Sequence, residues 1–79
     1  MKFVYVLKSE KSDLFYVGIT INIENRLKEH NQGKSKLTKG HLPWKLIYFE
    51  ESEDGKSAGK REKYLKSAAG KRWLKKKGF

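Results

Sequence analysis

The chain has 79 residues and no cysteine, which excludes disulfides and thiolate metal sites and gives no sign of an oxidising compartment. Nineteen Lys and Arg stand against nine Asp and Glu, a net charge of +10 with a pI near 9.9; a polyanion, nucleic acid first, is the expected partner. No apolar run is long enough to span a bilayer and no signal-peptide pattern opens the chain, so the default expectation is one soluble cytoplasmic domain over residues 1–79.

Two apolar runs come first, Phe3-Val4-Tyr5-Val6-Leu7 and Leu14-Phe15-Tyr16-Val17-Gly18-Ile19, joined by Glu10-Lys11-Ser12-Asp13. Both are rich in β-branched and aromatic residues and read as a β-hairpin. The first run is apolar on both faces, as suits the middle of a covered sheet. Turn length decides whether Tyr5 and Tyr16 share a face. A two-residue loop at Glu10-Lys11, or a four-residue loop from Ser9 to Ser12, sets them directly opposite. A three- or five-residue loop separates them unless a bulge intervenes. Two neighbouring phenols are either a packed aromatic pair or two polar tips converging on a substrate.

A helix follows over Ile23–His30, with Asn22 as N-cap and Glu24 at the positive end of the dipole. Ile23 and Leu27 face the core; Arg26 and His30, also four apart, share another face. Gly33 is a suitable left-handed residue to end it. Gly33–Pro43 is a polar basic loop, either a solvated connection or a phosphate-contacting flap built on Lys34, Lys36, Thr38, Lys39 and His41. Trp44–Glu50 is a third strand. Glu51–Lys56 is an acidic turn, and Ser57 caps a helix from Ala58 to about Ser67. Glu62 borders its inward face and is the only side-chain carboxylate after Asp54. It reads either as an exposed ion pair with Lys66 or as a functional acid. Gly59 weakens this helix, and Gly70 is expected to break the chain before a last helix over Lys71–Lys77. The order β-β-α-β-α-α predicts an α+β fold, a three-stranded antiparallel sheet flanked by helices.

Phe3-Val4-Tyr5 followed eleven residues later by Tyr16-Val17-Gly18 resembles the paired triplets of the GIY-YIG nucleases. Arg26-Leu27-Lys28-Glu29-His30, Lys36-Leu37-Thr38-Lys39-Gly40, Pro43–Tyr48 and Ala58–Lys66 resemble later motifs of the same family, in the same order. Phe3 stands where the first triplet has glycine, and Ile19 where some relatives carry lysine. Homing endonucleases and the nuclease component of excision repair are similar to this chain in their nuclease module.

The resemblance implies a phosphodiester hydrolase using one divalent ion, Mg²⁺ or Mn²⁺. Tyr5 and Tyr16 would be the paired phenols, Arg26 the phosphate clamp, His30 a proton-handling or phosphate-contacting partner, Glu62 the sole protein metal ligand, and Gly18 the residue that leaves room for close approach. A fixed Arg and a metal suit the negative charge of a phosphodiester transition state. Tyr5 is the expected base or base-orienter, with Tyr16 supporting and His30 competing; a free phenol has a pKa of about 10 and needs a cation to lower it. DNA is the expected substrate, in repair or recombination, with target choice coming from DNA structure or a protein partner. The basic tail, Lys71, Arg72 and Lys75–Lys77, can add sequence-independent phosphate contacts. The competing reading is a nucleic-acid-binding module with little or no cleavage; a small ribosome-associated protein would explain the charge alone.

Overall fold

A computed structural model describes residues 1–79. Its elements are β1 (Lys2–Ser9), β2 (Phe15–Thr20), α1 (Ile23–Asn31), a single 3₁₀ turn (Lys39–His41), β3 (Trp44–Ser52), α2 (Gly55–Lys66) and α3 (Ala68–Lys76). The sheet is antiparallel in the order β2-β1-β3, so the predicted α+β class and element order hold.

The all-apolar run Val4–Leu7 becomes the centre of β1, and each of its residues is at most 1% exposed. Alternation divides it between two cores. Val4 and Val6 pack with Val17 and with Ala58, Leu65 and Leu74 from α2 and α3. Tyr5 and Leu7 pack on the other face with Trp44, Tyr16 and the Ile23 and Leu27 side chains of α1.

Hairpin register departs from expectation by one step. Ser9 N–H donates to Leu14 O at 3.0 Å, which closes a connection over Glu10–Asp13, one residue later than the Ser9–Ser12 loop. Tyr5 therefore pairs with Gly18, and Tyr16 with Leu7. The shift preserves parity, so the phenols share a face but lie diagonally rather than directly opposite. Ser9 Oγ organises the connection, accepting from the N–H groups of Lys11 and Ser12 and donating to His41 O.

A second irregularity lies in β3. Val6 pairs with Tyr48 but Leu7 pairs with Leu46, so Ile47 is an extra, unpaired residue. This bulge inverts the alternation of the strand's first half. It carries Trp44 and Leu46 to the face of Tyr5 and Leu7, where both join the α1-side core.

The caps are chemically ordinary at α1. Asn22 Oδ1 accepts from Asn25 N–H at 3.0 Å. At the other end Gly33, at φ +76°, donates to His30 O while Lys34 N–H donates to Glu29 O, the paired bonds of a Schellman ending. The two later helices start earlier than predicted. Asp54, not Ser57, caps α2, its Oδ1 accepting from Ser57 N–H at 2.7 Å. Ser67 caps α3, and Gly70 lies within that helix rather than breaking the chain before it. The reason is close packing. Gly70 is buried, and a Cβ there would meet the Tyr64 carbonyl and stand 2.5 Å from Leu65 Cα, so glycine lets α3 cross close over the end of α2.

The two helical glycines should respond oppositely to alanine. Gly59 faces open space, so Gly59→Ala should raise stability by about 0.5–1 kcal/mol through helix propensity. Gly70→Ala should lower it by about 1–3 kcal/mol through overpacking. Thermal unfolding of both variants checks the pair, with about 4–8 °C expected per kcal/mol in a domain this small.

Candidate active site

Tyr5 brings a phenol into the centre of a doubly covered sheet, where its hydroxyl has to be satisfied internally. Two neighbours make this possible. Gly18, directly opposite on β2, leaves the space the ring occupies: a Cβ there would stand 2.6 Å from Tyr5 Oη. His30, in the last turn of α1, is fully buried and places Nε2 3.0 Å from the same oxygen.

Behind the imidazole, His30 Nδ1 lies 2.8 Å from Thr38 Oγ1. Thr38 is also fully buried. Its carbonyl accepts from Trp44 Nε1–H at 2.8 Å. Trp44's backbone is held in turn by Asn31, whose Oδ1 accepts from Trp44 N–H at 2.7 Å and whose Nδ2 donates to Trp44 O at 3.0 Å. Trp44 can make these bonds because the Ile47 bulge turns it to this face.

Tyr16 and Arg26 complete the group on its solvent side. The half-buried Tyr16 ring packs 4.7 Å from the His30 ring and 6.2 Å from that of Tyr5, centroid to centroid. Arg26, one helical turn before His30, donates from Nη1 to Glu29 Oε1 at 2.9 Å, and Glu29 holds its pKa up.

The electrostatics separate the two expected bases. Burial, with the neighbouring Tyr16 phenol adding to it, pushes Tyr5 up to about 12, against the opposing pull of Arg26. Tyr5 is thus protonated at neutral pH and does not rest as a phenolate, although Arg26 acts on it in the lowering direction that a phenol base needs. Burial outweighs the one guanidinium. Burial and then the Arg26 charge lower His30 below the usual imidazole value, so His30 is neutral at pH 7.

The structure brings Tyr5, Tyr16, Gly18, Arg26 and His30 together. Thr38 joins them from the inside: buried against His30, it is a support for the imidazole and not a phosphate contact, a correction to the flap reading. Lys34, Lys36 and Lys39 of the same loop are all exposed, as a phosphate-contacting role needs. Glu62 makes no hydrogen bond to this group. It lies on α2, whose core side chains cover the other face of the sheet, and its carboxylate pairs with Lys66 Nζ at 3.1 Å. No three metal-ligating side chains cluster anywhere in the chain. A lone carboxylate nevertheless fits a hard divalent ion that keeps most of its waters and takes its remaining oxygens from substrate phosphate. Asn31 and Trp44 escaped the sequence reading. A helix-terminal Asn and a strand-initial Trp carry no signal beyond the need of a buried indole N–H for an acceptor.

The chain belongs to the GIY-YIG family, a family of nuclease-type domains: the model of the GIY-YIG catalytic domain matches residues 1–77. Among its relatives are UPF0213 proteins. One from Clostridium perfringens is 46% identical over 67 residues, covering 84% of this chain and 71% of that protein. One from Syntrophus aciditrophicus is 42% identical over 66 residues, covering 81% and 75%. One from Pediococcus pentosaceus is 39% identical over 81 aligned positions, covering 98% and 84%. No solved structure gives a significant match. No helix is long and apolar enough to cross a membrane.

His30 gives the fold a pH signature. Its folded pKa lies below the unfolded value of about 6.5. Its stabilising contribution is therefore complete above that value and is lost as pH falls through the lower folded one. The melting temperature should drop as pH is lowered from about 7, and His30→Gln should flatten this slope while lowering the neutral-pH value. A slope unchanged in His30→Gln would contradict the assignment.

Proposed function

We propose that this protein is a metal-dependent endonuclease that hydrolyses phosphodiester bonds in DNA, structure-selectively or without specificity. The observation that carries the reading is the buried Tyr5–His30 hydrogen bond set beneath Tyr16 and Arg26, in a chain of net charge +10. A phenol and a neutral imidazole at 3.0 Å give a path along which a proton can pass, and the Arg26 cation acts on the same phenol.

In this reading Arg26, oriented by Glu29, binds a non-bridging phosphate oxygen in a fork and favours the charge that develops there. Tyr16, on the solvent side, orients the attacking water. The water's proton is taken up at the phenol pair as Tyr5 passes its own to His30 Nε2, leaving an imidazolium and an attacking hydroxide. The proton then returns to solvent by the same path. Tyr5 acts as a conduit, consistent with its high pKa, and His30 as the base. Glu62 would hold Mg²⁺ or Mn²⁺ once released from Lys66; the ion would neutralise charge at the leaving oxygen.

The phosphate backbone has a second surface to meet. Lys71, Arg72, Lys75, Lys76 and Lys77 on and after α3 form no ion pair, whereas Arg26, Arg61 and Lys66 do. Free cations in that number suit sequence-independent binding, with target choice left to DNA structure or to a protein partner. One observation favours the alternative, a binding module with little cleavage: the Glu62 carboxylate is already paired.

Purified protein with Mg²⁺ or Mn²⁺ should nick supercoiled plasmid or branched DNA, and chelation should stop it. Glu62→Ala and Arg26→Ala should each lower the rate on the order of 10²-fold or more. Absence of nicking on any DNA would leave the binding-module reading. Separately, changing Lys71, Arg72 and Lys75 to Gln should reduce the slope of log affinity against log salt by about 0.9 for each phosphate no longer neutralised. An unchanged slope would remove α3 from the DNA-binding surface.

A further inference from the structure

We infer that Leu37 is a wedge that enters the base stack of DNA, so that the protein selects duplexes whose stacking is already interrupted at a mismatch, nick or branch. This rests on the DNA partner proposed above and narrows it, from DNA in general to DNA with a weak step.

Leu37 is the most exposed large apolar side chain of the molecule, at 79%, and it belongs to neither core. A single leucine in water is ordinary on a protein surface; its mounting sets this one apart. Thr38, the next residue, is fully buried, with Oγ1 2.8 Å from His30 Nδ1. Trp44 Nε1–H donates to the Thr38 carbonyl at 2.8 Å. The N–H groups of Thr38 and Lys39 both donate to Ser35 O, at 3.3 and 3.0 Å, and close a turn around Leu37. The backbone after Leu37 is thus pinned to the core, and Thr38 takes the inward position. Other exposed apolar residues have company. Ile21 and Phe49 share an apolar groove with Phe3 and Leu27, and Arg61 lies over the Tyr64 ring at 5.1 Å.

The charges nearby name the ligand. Lys34, Lys36 and Lys39 are exposed and form no ion pair, and no Asp or Glu occurs between Glu29 and Glu50. A polyanion with a stacked apolar interior matches both features: its phosphates meet the lysines and its bases meet the leucine. Aliphatic side chains that enter a duplex do so between adjacent base pairs, partly unstacking them at a cost in free energy. That cost is least where a base is mismatched or already unpaired. An intact duplex therefore resists the wedge, and an interrupted one admits it. Leu37 also stands close to the site. Its Cα is about 3.8 Å from that of Thr38, the residue that meets the imidazole. One step along a strand spans about 3.4 Å, so a base met by Leu37 and a phosphate held by Arg26 fall within a few nucleotides of each other.

With the divalent ion chelated, no strand is cut and the stack is read directly. Duplexes carry 2-aminopurine, whose emission rises on unstacking, either beside a mismatch or within an intact sequence. Wild-type protein should raise the emission at the mismatch severalfold and bind that duplex more tightly than the intact one. Leu37→Ser should abolish the rise and weaken binding to the mismatched duplex on the order of tenfold, the loss of one buried leucine contact, with the intact duplex affected far less. Leu37→Phe should keep the rise and the preference, and Lys36→Gln should weaken both duplexes by the same factor. Leu37→Ser should melt at the wild-type temperature, since Leu37 lies outside both cores. Unchanged emission with wild-type protein bound would overturn the inference, as would a Leu37→Ser protein that still prefers the mismatch. Neither result touches the nuclease reading, which nicking with Mg²⁺ or Mn²⁺ decides. Protein that unstacks through Leu37 yet nicks nothing upholds the wedge and refutes the nuclease reading. A wild type that binds no DNA ends both.

Discussion

A phenol in the middle strand of a sheet covered on both sides has no water to turn to, and this constraint shapes the rest of the molecule. Tyr5 needs a glycine across the ladder to make room for its hydroxyl and a buried polar partner above it. That partner, His30, is costly to bury, so it needs a second hydrogen bond, which draws Thr38 inward out of an exposed loop. Leaving any of these groups unpaired would cost about 1–3 kcal/mol. The structure leaves no buried side-chain nitrogen or oxygen without a partner. The site and the α1-side core are thus one object, and its polar chain is as much a folding determinant as the apolar residues around it.

Much of this was legible in the residues. The unbroken apolar run Val4–Leu7 marks a strand buried on both faces, Asn22 and Gly33 mark the ends of α1, and the four-residue spacing of Arg26 and His30 puts both on one helix face. What could not be read has physical causes. Hairpin register depends on where a polar connection closes, and several closures of equal parity fit Glu10–Asp13. The start of α2 moved because Asp54 caps as well as Ser57 does, and the extra turn follows. Gly70 looked like a break because propensity speaks for the isolated helix, while close helix crossing is a tertiary demand. Thr38 looked solvent-facing because its neighbours are lysines; only the buried imidazole explains its direction.

Charge is distributed unevenly over this frame. Several carboxylates are engaged locally, Glu50 with Arg61, Glu29 with Arg26 and Glu62 with Lys66, while Asp54 is committed to a helix cap that lowers its pKa. The cations of α3 have no such partners. The potential presented to an approaching polyanion is therefore set more by unpaired lysines than by the formal sum, and Arg26 is the cation beside the phenols that a neighbouring carboxylate already aligns.

The bulge at Ile47 has a further effect. β3 is an outer strand of the sheet, nine residues long, and a flat strand of that length offers an unsatisfied row of amides and carbonyls to any passing chain. One inserted residue breaks the regular spacing of that row and increases its local twist, and the exposed Lys45 and Glu51 flank the break. The same irregularity that turns Trp44 toward the histidine's support also makes the rim a poor template for intermolecular stacking, so a small cationic protein can carry a bare sheet border without inviting fibril growth along it.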